Sequence, residues 1–321
     1  MVDTRALTTK SLLKLMDSLV QPVATYGCQV WLPSTYLLRG LIDGNRSNLS
    51  ALAAKDKLET THLRMLKWIL GVHKKTSNNF CYGDTGRLPL GLTVIPQCIQ
   101  YFKRVSSATE TSDNVLLYHT FQEQKANNFD WYRSWNAVCG LDPLDVPGRI
   151  YSTFVDQWKA DVSARSKLQF YNSVKGEIGE EMYLNLSKKK ARDAIARLRS
   201  SSHDLNIERG RYKPGKSLMN RLCRFCLHDV DSKEVLEQAE FLPFFDPIIE
   251  TEHHALTECP AYHHIRMRLS DSTKSLLVRG DYGILMQQQE LLNEFGNFLR
   301  RSYDYRNPKP KTEKSTGTKL A

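Results

Sequence analysis

From residue 57 to residue 71 the chain reads Lys57-Leu58-Glu59-Thr60-Thr61-His62-Leu63-Arg64-Met65-Leu66-Lys67-Trp68-Ile69-Leu70-Gly71. Leu58, Met65 and Ile69 share one face of a 3.6-residue period, with Leu63, Leu66 and Leu70 beside them, while Lys55, Lys57, Arg64 and Lys67 point elsewhere. The spacing predicts a long two-sided helix between Ala53 and Val72. It closes at Gly71, the residue type that best tolerates the left-handed turn ending a helix, with Lys74 and Lys75 following. The same period recurs outward from this stretch. Leu12, Leu15, Met16, Leu19, Val20 and Val23 predict a helix over Ser11 to Val20 running towards Pro22, and Ile95 to Val105 and Val115 to Gln124 are again helical. An Asp-Gly-Asn loop is expected at Asp43 to Asn45, and another loop around Gly83, Gly86, Pro89 and Gly91. Trp131, Trp135, Trp158, Phe170 and Tyr171 are expected in the core, with Pro143 and Pro147 separating two helical stretches. Few runs alternate with period two, so the fold class is mainly α.

The 321 residues are 41% hydrophobic, 10% aromatic and 25% charged, a globular composition with length for about two domains. Apolar runs are broken within a few residues, far short of the ~20 residues of a bilayer span, so no membrane partner is expected. The first ten residues carry Asp3 and Arg5 with no signal-like apolar segment. Seven cysteines are an odd number, and Cys28, Cys81, Cys98 and Cys139 lack framework spacing, which suits a reducing, intracellular compartment, nuclear or cytoplasmic.

The formal charge is +10, and its location matters more than its size. Between Ser187 and Arg224 twelve Lys and Arg face only Asp193, Asp204 and Glu208, so this segment holds a surplus of nine. A basic block in a near-neutral globule is the electrostatic footprint of a polyanion, because each phosphate neutralised releases counterions. The candidate nucleic-acid contacts are Lys188, Lys189, Lys190, Arg192, Arg197, Arg199, Arg209, Arg211, Arg221 and Arg224, with Phe225 as a base-stacking ring. A basic amphipathic helix over Ser187 to Leu198 would turn Ala191, Ala194, Ile195 and Leu198 inward and leave the cations outward. The competing reading is a solvated helix face.

Cys223 and Cys226 form a CxxC pair, and His254 and Cys259 follow as a second half-site. Three thiolates and an imidazole fill a tetrahedral shell around Zn2+ and leave no position for a reactive water, so such a site is structural. The half-sites are 27 residues apart, longer than in a compact knuckle, and His253 or His228 could replace His254. The competing reading is a set of reduced, half-buried cysteines beside surface histidines. No P-loop, HExxH, GxSxG or nuclease-type acid cluster is present, and His263 and His264 lack a nucleophile partner.

Taken together, Leu198-Arg199-Ser200-Ser201-Ser202-His203-Asp204-Leu205-Asn206-Ile207-Glu208-Arg209-Gly210-Arg211-Tyr212, Arg221-Leu222-Cys223-Arg224-Phe225-Cys226, Glu250-Thr251-Glu252-His253-His254, Cys259-Pro260, Tyr262 and Arg266 resemble the C-terminal region of non-LTR (LINE-like) retrotransposon reverse transcriptases. Residues 19–31 and 62–72 resemble the helical thumb that follows that family's palm. The resemblance implies a Cys-Cys-His-Cys zinc knuckle, RNA and/or DNA as partner, and a polymerase core of the same element as a further partner. Two departures stand out. The chain has no Asp-Asp pair of the kind that holds the polymerase metals, which places it downstream of that centre, and Asp231 to Pro247 reads as an insertion in the knuckle.

The expected organisation is a thumb-like region over 1–110, a helical linker over 111–186, the basic segment over 187–224, the knuckle with its insertion over 221–270, C-terminal helices over 271–302 and a disordered basic tail over 303–321. The expected function is nucleic-acid binding without catalysis by this chain alone. The alternative is a helical protein-interaction scaffold with an architectural zinc site.

Overall fold

The Thr8 hydroxyl accepts the backbone N–H of Ser11 (3.1 Å) and so caps the first helix, α1 (Thr9–Leu15), ahead of the expected start at Ser11. The computed structural model describes residues 7–32, 55–111, 114–139, 146–212, 218–226 and 248–308. The loop at Asp43 to Asn45, Pro143, His228, the Asp231 to Pro247 insertion and the tail from 309 lie outside the described residues. Those described are mainly α-helical, without a strand; β pairing among them is confined to the isolated bridges Thr85–Glu180 and Leu222–Ile249. No described helix is long and apolar enough to cross a membrane. The chain divides into two compact units, Met1–Ser187 with Ala196–Ser202, and Lys188–Ile195 with His203–Ala321.

In the first unit α1 runs on through a π turn (Met16–Val20) into Gln21–Ala24. Pro22 does not stop it, because it sits in the first turn of that last segment, where no intrahelical N–H is needed. Next comes α2 (Lys57–Leu70), capped by Asp56, which accepts the Leu58 N–H at 2.9 Å, and closed by Gly71 at φ 66°. It buries Leu63, Leu66, Ile69 and Leu70, and also Glu59 and His62.

Of the loop expected over Gly83, Gly86, Pro89 and Gly91, residues 86–89 are non-helical, but Gly83 falls in a helix, α3 (Asn78–Thr85). Gly83 lies inside it because a Cβ there would sit 2.1 Å from the Tyr171 hydroxyl and 2.7 Å from the Trp158 ring. The following helix, α4 (Leu90–Ser106), begins at Leu90 rather than Ile95, since Glu59 of α2 accepts the Leu90 N–H (2.7 Å) and caps it from a distance. Then follow α5 (Val115–Ala126), α6 (Asp130–Cys139), α7 (Val146–Ala164) and α8 (Gln169–Val174). Helix α4 packs on Cys28–Trp31, α2, α5, α6 and α7, and Phe102 meets Phe121, Trp131 and Tyr132. Trp158 and Tyr171 are buried as expected, while Trp131 and Phe170 are half-buried.

Helix α9 (Lys189–Arg199) belongs to the second unit as far as Ile195 and to the first from Ala196. The second unit continues through short turns to α10 (Asp271–Arg279), α11 (Tyr282–Met286) and α12 (Gln289–Arg306). Within it, Gly296 of α12 approaches so closely that a Cβ there would meet that of Ala191 at 2.8 Å. Helix α12 also carries order past residue 302: Ser302 and Arg306 are buried, so the tail expected from 303 is helical to Arg306.

Candidate metal centre

Two backbone hydrogen bonds join the half-sites. Cys223 donates to the Ile248 carbonyl (2.9 Å) and Glu250 to the Arg221 carbonyl (2.9 Å), so the CxxC turn starts beside the segment that leads to His254. The Thr251 hydroxyl then accepts the His254 N–H (3.0 Å), and a π turn (His254–Glu258) closes when Cys259 donates to the His254 carbonyl (2.8 Å). Single wide turns of this kind recur at functional sites, and here one brings a histidine and a cysteine to the same place.

The Sγ atoms of Cys223, Cys226 and Cys259 and a ring nitrogen of His254 all lie within 4.8 Å of one another. Cys223 and Cys259 Sγ are 3.8 Å apart, Cys226 and Cys259 Sγ 3.9 Å, and Cys226 Sγ lies 3.4 Å from His254 Nε2. A tetrahedral ion with metal–sulfur bonds of ~2.3 Å and a metal–nitrogen bond of ~2.0 Å has edges of about 3.8 Å between sulfurs and about 3.5 Å from sulfur to nitrogen. The three measured edges match that figure. His254 Nδ1 faces the Glu258 carboxylate at 3.2 Å, the second hydrogen bond that fixes the tautomer of a ligating imidazole and leaves Nε2 for the ion. Cys223, His254 and Cys259 are buried and Cys226 half-buried.

A hydrogen bond from Cys259 holds the Cys223 thiol down to about 3, and the backbone N–H groups of Cys226 and Phe225 add to this. The same contact drives Cys259 far above the usual thiol range, and burial followed by the hydrogen bond with Cys223 pushes Cys226 up to about 11. Contact with Cys223 raises His254. A cation that engages all four groups therefore displaces protons as it binds. The cluster is compatible with a metal site of three sulfurs and one nitrogen.

His254, not His253, belongs to the cluster: His253 Nδ1 meets the Tyr282 hydroxyl at 2.7 Å. The sequence reading missed what braces the site. Buried Arg306 forms a two-pronged pair with Glu250, through Nη1 to Oε1 and through Nη2 to Oε2 at 2.8 Å. Glu250 Oε2 also accepts the Asn206 N–H (2.8 Å), and Asn206 Nδ2 donates to the Leu222 carbonyl (2.7 Å). The sequence signal available was an acid four residues before His254, but its arginine sits at the far end of α12, where the charge pattern reads as tail.

The basic candidates separate by burial. Arg199 is a correction: at 0% exposed it donates Nε and Nη2 to Asp84 at 2.9 and 2.8 Å, so it cannot reach a phosphate. Arg192, 4% exposed, is a second correction, since α9 turns it inward with Ala191 and Ile195. Lys188, Lys189, Lys190, Arg197, Arg209 and Arg224 are exposed; Lys189 pairs with Asp193 (2.8 Å). Arg211, bound to Glu208 at 2.9 Å, and Arg221 are half-buried. Phe225 is half-buried and already stacked on Tyr305 (centroids 5.7 Å, planes 28° apart), with the Arg224 guanidinium 4.7 Å from its centre. Its ring is thus engaged in packing.

Compared with known proteins, the chain matches no family model, no curated protein and no solved structure.

Proposed function

We propose that this chain is a nucleic-acid-binding module of the kind found at the C-terminal end of non-LTR retrotransposon reverse transcriptases, without a polymerase centre of its own, in which Cys223, Cys226, His254 and Cys259 hold a structural Zn2+. The observation that carries the reading is the convergence of those four ligand atoms. Three thiolates with one imidazole suit zinc, and they saturate a tetrahedron, so the ion stabilises the fold and does no chemistry. Two ligands bracket exposed Arg224, so the metal also orders the end of the basic segment. The contacts offered to RNA or DNA are Lys188, Lys189, Lys190, Arg197, Arg209 and Arg224, with Arg211 and Arg221 partly available. A polymerase core of the same element is the natural protein partner, in the nucleus or cytoplasm.

Exposed Leu19, Val23, Tyr26 and Val30 favour a second reading, a helical scaffold that docks a protein. Salt dependence separates the two. With about five phosphate contacts, log affinity for single-stranded RNA should fall against log salt with a slope of roughly −3 to −4. Replacing Lys188, Lys189, Lys190 and Arg209 with Ala should weaken binding to all sequences alike and flatten that slope. Equal binding by wild type and variant at every salt concentration refutes the assignment, and metal analysis should return about one zinc per chain.

A further inference from the structure

The polar side of α2, which the metal centre and the basic segment do not use, borders an open groove of about 600 Å³ within the first unit. Arg64 and Lys67 of α2 and Lys74 and Lys75 just beyond it line the groove together with Trp68, Asn78 and small apolar flanks, and no carboxylate is among the lining residues. None of the four cations forms an ion pair among the described residues. The Lys67 ammonium is held by the Lys74 carbonyl (3.1 Å), which ties the helix end to the turn that follows. Trp68 is 64% exposed, an unusual position for the largest apolar side chain unless its face has a ligand. Helix dipole alone does not account for the charge: the C-terminus of a helix carries about half a negative charge, which one cation offsets.

An uncompensated cationic rim around a bare indole is the arrangement that holds a single nucleic-acid strand, with phosphates on the rim and a base on the ring. We propose that this groove binds a short segment of single-stranded RNA, with Trp68 stacking on one base and Arg64, Lys67, Lys74 and Lys75 engaging the phosphates beside it. Desolvation lowers the pKa of half-buried Lys67, and an arriving phosphate relieves that cost. The site shares a ligand class with the proposed function but no residue.

The test uses the whole chain and two labelled probes, hexauridylate and an abasic hexamer of equal charge. Trp68→Ala should weaken hexauridylate binding about tenfold, the effect of losing one stacked base, and leave the abasic hexamer unchanged. Trp68→Phe should restore most of the loss. Lys74→Gln with Lys75→Gln should flatten the salt slope by about 1.4. The Trp68→Ala effect should persist when Lys188, Lys189 and Lys190 are also Ala. The proposal is overturned if Trp68→Ala binds hexauridylate like wild type, or weakens both probes equally. It is overturned too if that variant loses only binding to vesicles of anionic phospholipid. Loss of RNA binding on replacing the three lysines, with none from Trp68→Ala, refutes the groove and leaves the proposed function standing.

Discussion

Each unit buries an arginine against a carboxylate, and what surrounds the pair differs. In the first unit Asp84 receives Arg199 and also the hydroxyls of Tyr171 (3.0 Å) and Tyr183 (2.8 Å). Burial, followed by the Asp84 charge, holds both phenols well above their usual range, so they remain donors at every working pH. Around this knot lie Phe80, Phe154 and Trp158, the apolar stripes of α3 and α7. In the second unit Glu250 receives Arg306 and a backbone N–H, and its neighbours are one-turn segments and the sulfurs of the Cys/His cluster. Helices long enough to show a stripe can bury a polar knot inside a hydrophobic core. Turns too short to do so have the buried ion pair and the four converging ligand side chains in place of that core.

The proposed metal gives the most severe test of that contrast. Structural zinc contributes an apparent ~10–16 kcal/mol in small finger peptides. Chelation, or Cys223→Ser, should therefore abolish hydrogen-exchange protection at the amides of Cys223, Glu250 and Cys259 while α2 and α4 keep theirs. Retained protection at those three amides breaks the comparison.

The arginines come next. Truncating one partner of a buried pair leaves an uncompensated charge and costs about 3–5 kcal/mol. Arg199→Met should lower the denaturant midpoint accordingly with metal binding unchanged, whereas Arg306→Met should weaken metal binding as well. If Arg306→Met leaves metal affinity untouched, Glu250 and Arg306 do not brace the site.

A smaller effect is expected at glycine. Gly83→Ala forces a methyl into the Tyr171 hydroxyl and Trp158 and should cost ~1–3 kcal/mol. Gly148→Ala in α7, where nothing lies within 4 Å, should stabilise by about 0.5–1 kcal/mol. Chemical denaturation of the two variants reads both signs.

The smallest effect is a pH dependence. Burial would raise the Glu294 pKa, but hydrogen bonds from Thr273 and from Ser270 outweigh it and hold the carboxyl below its usual value. A carboxylate with a depressed folded pKa stabilises above the unfolded value, about 4.3, and loses that contribution as pH falls through the folded one. The melting-temperature gap between wild type and Glu294→Gln should be constant above about pH 5 and shrink below pH 4.

Much of this was legible in the residues. The α2 stripe, its Gly71 end and the mainly α class follow from local periodicity and capping, which act within one or two turns. The Cys-Cys-His-Cys set was legible because metal chemistry restricts the ligand types and the CxxC half-site is local. Helix α3 was not, since glycine content argues for a loop and only the rings of Trp158 and Tyr171 explain Gly83. The start of α4 was hidden for a similar reason, its cap being Glu59 of another helix.

The basic segment shows where the two levels part. The sequence by itself determined that Ser187 to Arg224 concentrates the positive charge, that α9 is amphipathic, and that Cys223, Cys226 and Cys259 with one nearby histidine are fit to ligate one ion. Only the tertiary structure decided that Arg192 and Arg199 face inward, that His254 is in the cluster in place of His253, and that Arg306 closes the second unit on Glu250. The physical reason is range: period and capping are set by neighbours along the chain, but Arg199 and Arg306 are buried where Asp84 and Glu250, remote in sequence, compensate their charge.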